Sequence, residues 1–372
     1  GFIGQVAWAV ENVYFNTFLF NYIGGTADDI AKMVAASAIA AVVTTFIMGT
    51  LSDKLDRRKI FISGGYIIWG FTVAVFAFIS RENIGKLFNI SDTSKVVAAT
   101  VCVVIIMDCV MTFFGSTSND AAFNAWVTDV TVPENRGTAE AVLALLPVFA
   151  TVIVTVAFGV GVEAAGYPAC FMFLGALVTI CGIIGLFSVK DPRKGVKQST
   201  NYFSDLIYGF RPSVIKNNAA LYLCLASACI FNTAVQVFMP YIFIYVQHYL
   251  KFDLNTFQIT TPIIIGGAAA VVGLVVVTIL LGKLLDKVGK RIFVFPAVLL
   301  FVAGLVAVFF AKTLLTFVLF ALIMILGYGL LMIILNATVR DYTPEDKVGQ
   351  FQGVRLLFTV TLPMIIGPKV GS

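Results

Sequence analysis

Charge in this chain arrives in short bursts between long apolar runs, and the most distinctive burst occurs twice. The first copy carries Gly49, Asp53 and Lys54, then the cluster Arg57, Arg58 and Lys59 ahead of Ile60 and Phe61. The second carries Gly282, Asp286 and Lys287, then Lys290 and Arg291 ahead of Ile292 and Phe293. A second pair follows in the same order. Asn124, Asp129, Thr131, Pro133, Glu134, Arg136 and Gly137 are matched by Asn336, Asp341, Thr343, Pro344, Glu345, Lys347 and Gly349. Two elements repeated in one order mean a duplicated unit, and duplication constrains architecture before local detail does.

Between the bursts lie runs of about 20 apolar residues, the length that crosses a hydrocarbon core roughly 30 Å thick. Of the 372 residues 59% are hydrophobic and 12% charged, with mean hydropathy +0.97. A soluble domain carries about 25% charged residues, so this surface is built for lipid. The runs lack period-two alternation and far exceed the roughly 10 residues of a barrel strand, which predicts helices. Eleven spans are predicted, over 2–23, 31–51, 60–80, 96–126, 138–162, 168–189, 219–249, 260–284, 292–311, 315–338 and 351–368. The first six form one repeat, residues 1–189. Residues 190–218 form a cytoplasmic linker, with 200–210 either a short surface helix or plain chain. Residues 219–372 form the second repeat with five spans, and the missing twelfth span and N-terminal flank read as truncation.

Loops after the even-numbered spans hold most of the lysine and arginine, including Arg57, Arg58, Lys59, Lys190, Arg193, Lys194, Lys197, Lys287, Lys290 and Arg291. Loops after the odd spans hold few: Lys32, Arg81, Lys86, Lys95, Lys251 and Lys312. The positive-inside rule makes the even loops and the N-terminus cytoplasmic, in a plasma (inner) membrane. The net charge of +5 sits in these loops, so it reports topology and gives no reason to expect nucleic acid. The six cysteines lie within apolar runs without ligand spacing, and there is one histidine, His248. Neither a metal site, a bound cofactor nor a nucleophile–base pair is expected, so an enzyme is not the expected class. The bilayer and a small solute are the expected partners of a monomer.

Two six-span halves, each with the Gly-x-x-x-Asp and basic-cluster loop between its second and third spans, resemble the major facilitator superfamily. Within it, Asn119, Asp120, Asn124 and Trp126 leading to Asp129, Pro133, Glu134 and Arg136 resemble the glycoside–pentoside–hexuronide:cation symporters, relatives of melibiose permease. The opening Gln5, Trp8 and Glu11 are similar to the first span of sucrose transporters. The resemblance implies an all-α polytopic protein of two pseudo-symmetric bundles, and alternating-access symport of a sugar with a cation. Sodium-coupled members carry second-span carboxylates, one of them four residues before the motif glycine. Here that position is Thr45 and the run 31–51 has no acid, which favours a proton. A different organic solute (drug or lipid), with sodium as a possible ion, stays open.

Ionisable groups at membrane depth are costly and tend to face cavities, so they nominate the site. Gln5, Asn12 and Asn16 share one stripe of the first span; Trp8, Glu11 and Phe15 share the next. Aromatic rings cover the C–H face of a sugar while a carboxylate accepts from its hydroxyls; interhelical hydrogen bonding is the competing reading of the amides. In the fourth span Phe113, Ser116, Thr117, Asp120 and Asn124 line one face. Asp120 is the expected cation carrier, with Asp108, Glu140 and Glu11 as further candidates; Asp108 is alternatively a carboxylate satisfied by a neighbouring helix, and Glu140 a gate or interface charge. The second repeat has Gln352 where the first has Glu140, and contributes the neutral Asn232, Gln236 and Asn336. Arg355 either pairs with an acid or snorkels to the cytoplasmic face. Asp53, Arg57, Arg58, Asp129, Arg136, Asp286, Asp341 and Arg355 are the expected gating charges. By resemblance, they latch the cytoplasmic side.

Overall fold

The computed structural model describes residues 1–191, 208–238 and 261–371, and these are helical with short connections. The first helix, α1 (residues 2–23), begins as Phe2–Val10 and continues through wider i→i+5 turns at Glu11–Phe15 and Phe18–Ile23. Gly24, in the left-handed region at φ 84°, ends it. Helix α2, Ala27–Leu55, starts at a capping box in which Thr26 and Asp29 satisfy each other's backbone amides. It stops where Asp56 turns left-handed at φ 52°. The counterpart of that stop in the second repeat is Gly289, φ 102°, so both copies of the motif break their helix at the same place.

Helix α3 is Ile60–Phe78, and α5 is Thr93–Val130, capped by Asp92 accepting from the Ser94 and Lys95 amides. Between them lies α4, Arg81–Phe88, with Ser80 as N-cap and Asn89 as left-handed C-cap. The sequence predicts only a loop for this segment, because so short and polar a helix falls below the pattern of a span. Helix α6, Arg136–Ser188, covers two expected spans in 53 residues and changes direction at Gly166, φ 79°. A single glycine therefore does what a five-residue loop was expected to do. The remaining helices are α7, Pro212–Asn217; α8, Ala219–Phe238; α9, Thr261–Val288; α10, Lys290–Phe309; α11, Leu314–Tyr342; and α12, residues 348–371 with an i→i+5 turn at Leu357–Thr361. Among the described residues seven helices are long and apolar enough to cross a membrane. The expected end of the seventh span, 239–249, His248 and most of the expected linker helix 200–210 lie outside the described residues.

The chain forms two compact units, each drawing on both repeats. Unit 1 holds residues 1–130, 146–215 and 344–356; unit 2 holds 131–145, 216–343 and 357–372. The core of unit 1 is aromatic. Phe15 lies 4.5 Å from Phe76 and 5.2 Å from Phe171 between ring centroids, and Phe18 lies 5.1 Å from Phe171. Edge-to-face and tilted rings of this kind add about 0.5–1.5 kcal/mol per pair beyond area burial. In unit 2, α10 and α11 cross at small residues: a Cβ on Gly304 would meet the Met324 backbone at 2.4 Å, and one on Gly327 the Phe301 backbone at 2.4 Å. Small residues let helix backbones approach closely where lipid gives no hydrophobic drive to association.

The four motif glycines use the same device. A Cβ on Gly49 would lie 2.3 Å from the Gly349 carbonyl oxygen, and one on Gly349 would lie 2.2 Å from the Gly49 oxygen, both within unit 1. Within unit 2, Cβ atoms on Gly137 and Gly282 would meet each other's carbonyl oxygens at 3.1 and 3.0 Å. We expect Gly349→Val to force α2 and α12 apart, at a cost of about 1–3 kcal/mol, whereas Gly329→Ala, which meets nothing within 4 Å among the described residues, should not destabilise. Thermal unfolding of the purified variants checks the pair. Equal melting temperatures would refute the close-approach account.

Candidate functional site

Each copy of the loop motif builds a charge cluster at helix ends. In unit 1, Asp53 near the end of α2 accepts from the first amides of α12, Gly349 at 2.9 Å and Gln350 at 2.7 Å. Those amides have no partner inside their own helix, and the positive end of the helix dipole favours a carboxylate there. Arg58 pairs with the same Asp53 and donates through Nε to Asp129 at 3.0 Å, with the three side chains only 3–4% exposed. Burial works against the Arg58 charge, but Asp53 and Asp129 outweigh it and raise its pKa. Arg57 is exposed, so of the two adjacent arginines of this loop, both expected to gate, Arg58 is the one built into the cluster.

Unit 2 repeats the arrangement. Asp286 on α9 accepts from the Gly137 and Thr138 amides, both at 2.8 Å, and from the Thr138 hydroxyl at 2.6 Å. Asp341 pairs with Arg136 at 3.2 Å and with Lys290 at 2.5 Å. The correspondence holds in part: Asp53 and Asp286 each cap a helix, and Asp129 and Asp341 each hold a basic residue, but Asp53 also pairs with Arg58 where Asp286 takes a hydroxyl. The repeats differ at a second pair. Glu140 pairs with Arg340, both nearly fully buried, where the other repeat has Gln352 and Thr128. Glu140 thus has a committed partner in Arg340. Arg340, which sequence reasoning passed over, carried one signal: it is a base immediately before the motif aspartate. Arg355 is half-buried on α12.

At membrane depth, unit 1 gathers three carboxylates from α1 and α5. Glu11 Oε1 accepts from the Ser37 hydroxyl of α2 at 2.9 Å and from Thr112 of α5 at 3.4 Å, and the two hydroxyls are 2.8 Å apart. Asp108 lies one turn before Thr112 on α5, 1% exposed and beside the same Ser37. Glu11 Oε2 and Asp108 Oδ1 are buried without a hydrogen-bond partner among the described residues. Asp120 is better supplied: Ser116 donates to it at 2.9 Å and Asn119 at 3.3 Å, and the Trp8 indole lies beside it. Tyr66 donates to the Asn119 oxygen at 3.1 Å. Glu11 is within electrostatic reach of both aspartates. Among the described residues none of the three pairs with a lysine, arginine or histidine, nor do they or other acids group as metal ligands.

Glu11 opens the wide turn Glu11–Phe15, and Asp120 sits in another, Ser116–Phe123. Such turns concentrate at functional positions. Around them Trp8 is half-buried, its ring 5.0 Å from that of Trp69 and tilted 48° to it. Gln5 is half-buried, while Asn12 and Asn16 bond back to the carbonyls of Trp8 and Asn12. Phe15, expected on the ligand stripe, is instead a core residue at 1% exposure; the wide turn rotates it inward. Phe113 is 37% exposed, and Asn124 donates to the Asn119 carbonyl at 3.2 Å. In unit 2, Asn232 bonds to the Ala228 carbonyl at 2.8 Å, Gln236 packs where Gly367 leaves room, and Asn336 is half-buried on α11. Sequence reasoning missed Ser37, Thr112, Tyr66 and Trp69 as members of the site.

Comparison with known proteins agrees with this fold. The family model for the Major Facilitator Superfamily matches residues 1–368. Curated protein sequences give no match. A bacterial homologue of the iron transporter ferroportin, outward-facing with soaked iron, is similar with TM-score 0.69 and 14% identity, covering 98% of this chain and 88% of that one. The human organic anion transporter MFSD10 (TETRAN) gives TM-score 0.60 and 13% identity, covering 99% and 82%. The proton:xylose symporter XylE bound to 6-bromo-6-deoxy-D-glucose gives 0.57 and 14%, covering 98% and 86%. At these identities the likeness concerns the fold. The expected fold class, an all-α polytopic membrane protein of the major facilitator type, is the observed one.

Proposed function

The chain belongs to the major facilitator superfamily, and on that premise we propose that it is a proton-coupled symporter of a sugar or glycoside. One observation carries the reading: the Glu11, Ser37, Thr112 and Asp108 cluster, which holds two buried acids at membrane depth with no paired base among the described residues. Two such charges are costly to keep in a membrane and demand a positive partner that comes and goes. A cation bound by oxygens at roughly 2.3–2.6 Å, the distance for a hard ion such as calcium, keeps its ligand oxygens well beyond hydrogen-bond contact. The Ser37 oxygen sits 2.8–2.9 Å from its neighbours, which suits a proton better than sodium.

Trp8, half-buried between Trp69 and Asp120, offers a flat apolar surface with a carboxylate at its edge. Within the same unit Gln5, Asn12, Asn16 and Asn124 supply amides, the chemistry for hydroxyl groups. The solved proton:xylose symporter shows that this fold accommodates such a pairing, and the motif Asn119 to Arg136 supports the glycoside–pentoside–hexuronide group. On this reading Asp120, with its donors already in place, orients substrate, and the motif clusters gate the cytoplasmic side. The protein acts as a monomer in the plasma (inner) membrane with its N-terminal side cytoplasmic.

One observation favours a second reading, carriage of an apolar drug or lipid. Unit 1 has a cleft of about 430 Å³ walled by Phe2, Val6, Phe158, Cys170, Phe173 and Leu177. The test is uptake into vesicles under an imposed pH gradient, acid outside, across a panel of sugars. Accumulation of at least one sugar, indifferent to sodium at constant pH, is expected. A chain that binds and moves only apolar solutes would establish the second reading instead.

A further inference from the structure

The short helix α4, Arg81–Phe88, sorts its side chains by face. Ile84, Leu87 and Phe88 fall at i, i+3 and i+4, the spacing of one helical stripe. Glu82 and Lys86, one turn apart on the opposite side, pair at 2.6 Å and are exposed. Ile84 is buried in the core of unit 1, and there the cover of the stripe ends: Leu87 is 73% exposed and Phe88 54%. A helix closed at both ends, by the Ser80 hydroxyl and a left-handed Asn89, thus holds two large apolar side chains out of the protein.

The place of α4 in unit 1 says what covers them. Helix α3 begins beside Arg58, and α5 ends with Asp129 in the same cluster. Helix α4 joins their other ends, so it lies at the opposite membrane face. The 19 residues of α3 rise about 28 Å, close to the roughly 30 Å of a hydrocarbon core. Its last residue, Phe78, therefore reaches the boundary between acyl chains and headgroups, and α4 starts three residues later. Over the second half of α3 the exposed apolar residues are Ile68, Phe71, Val75 and Phe78. Their spacing of three and four makes one lipid-facing stripe that runs up to that boundary. Two side chains are too little for a protein partner, since a specific interface covers about 800 Å² on each side. They are enough to enter lipid.

We propose that α4 is an interfacial anchor: it lies flat at the membrane face opposite the Asp53–Arg58–Asp129 cluster, with Leu87 and Phe88 among the acyl chains of phospholipids and Glu82 and Lys86 in water. Helices of this build rest with their apolar face about 5–10 Å into the headgroup boundary. The end of α3 is tied to the anchor, because the Asn83 side-chain amide donates to the Phe78 carbonyl at 2.8 Å. Phe78, itself 63% exposed, extends the same apolar contact. The anchor holds whatever solute or ion the chain carries.

The test is photochemical and needs no substrate. The photoreactive residue p-benzoylphenylalanine is placed at the position of Phe71, Glu82, Leu87 or Phe88 in the full chain. Each protein is reconstituted into vesicles of phosphatidylethanolamine and phosphatidylglycerol, irradiated and analysed by mass spectrometry. Phe71, on the lipid-facing stripe of α3, sets the reference yield of lipid adduct. Positions 87 and 88 should match it, with the new bond on an acyl chain, and position 82 should give at least about fivefold less, as its place on the polar face requires. Equal yields at 82 and 88 would overturn the proposal, as would adducts through the headgroup alone, adducts to another protein chain, or no lipid adduct at 87 and 88 beside a normal yield at 71. A second measurement uses the unsubstituted chain, so that no variant has to fold. Hydroxyl radicals generated in the water around the same vesicles should spare Leu87 and Phe88 as they spare Phe71. Oxidation of either well above the Phe71 level sinks the anchor.

Discussion

Replacing Asp53 by alanine is expected to be among the most damaging changes in the chain outside the membrane-depth site. The carboxylate serves three donors at once: the Gly349 amide, the Gln350 amide and the Arg58 guanidinium. Its loss leaves two helix-end amides and a 3%-exposed arginine with one remaining acid, Asp129. Removing one partner of a buried pair costs about 3–5 kcal/mol, and the surviving Asp129 places this case toward the lower end. Asp286→Ala gives the comparison, because Asp286 is held by amides and a hydroxyl and strands no cation. The expected cost there is about 1–3 kcal/mol.

The contact is between α2 and the start of α12, elements from different repeats; if the chain works by alternating access, as proposed above, a contact of this kind is one the cycle would make and break. We therefore expect Asp53→Asn to slow exchange at least about tenfold, which corresponds to 1.4 kcal/mol on the barrier. Substrate affinity should stay within a few-fold, since a ligand senses the change only through the population of its binding state. Binding and exchange measured on one preparation decide the matter. Loss of binding by a folded Asp53→Asn protein would assign the residue to the substrate site.

Much of this was legible because duplication leaves redundant marks. Gly49 with Gly282 and Asp53 with Asp286 recur at a spacing that loop charge alone does not require, and the structure gives each pair one job: close approach and helix capping. The wheel arithmetic of α1 failed for a definite reason. A regular helix carries Phe15 on the stripe of Trp8 and Glu11, but the turn Glu11–Phe15 is wider than 3.6 residues, so everything after Glu11 is rotated and Phe15 enters the aromatic core. Ser37 was invisible for another reason. One small hydroxyl in an alanine-rich run reads as a packing residue, and only the arrival of Glu11 and Thr112 from other helices gives it a role. Arg340 and Glu140 lie 200 residues apart, a separation across which one sequence carries no pairing signal.

Glu11→Gln should separate proton flow from substrate flow. Glutamine keeps the size and an oxygen for the Ser37 hydroxyl, but no longer exchanges a proton, so the site is held in the occupancy of a neutral acid. Each pH unit across the membrane offers one coupled proton 1.36 kcal/mol, enough for roughly tenfold accumulation of substrate. With Glu11 unable to release a proton, that linkage disappears, and the accumulation ratio under an imposed gradient should fall to one. Exchange of labelled for unlabelled substrate at equal pH requires no net proton movement and should continue at a comparable rate. Asp120→Asn is the contrasting variant. Its carboxylate already has Ser116 and Asn119 as donors, so its loss should weaken binding while leaving whatever accumulation remains dependent on the gradient. A Glu11→Gln protein that still concentrates substrate, beside an Asp120→Asn protein that exchanges without concentrating, would move the carrier to Asp120.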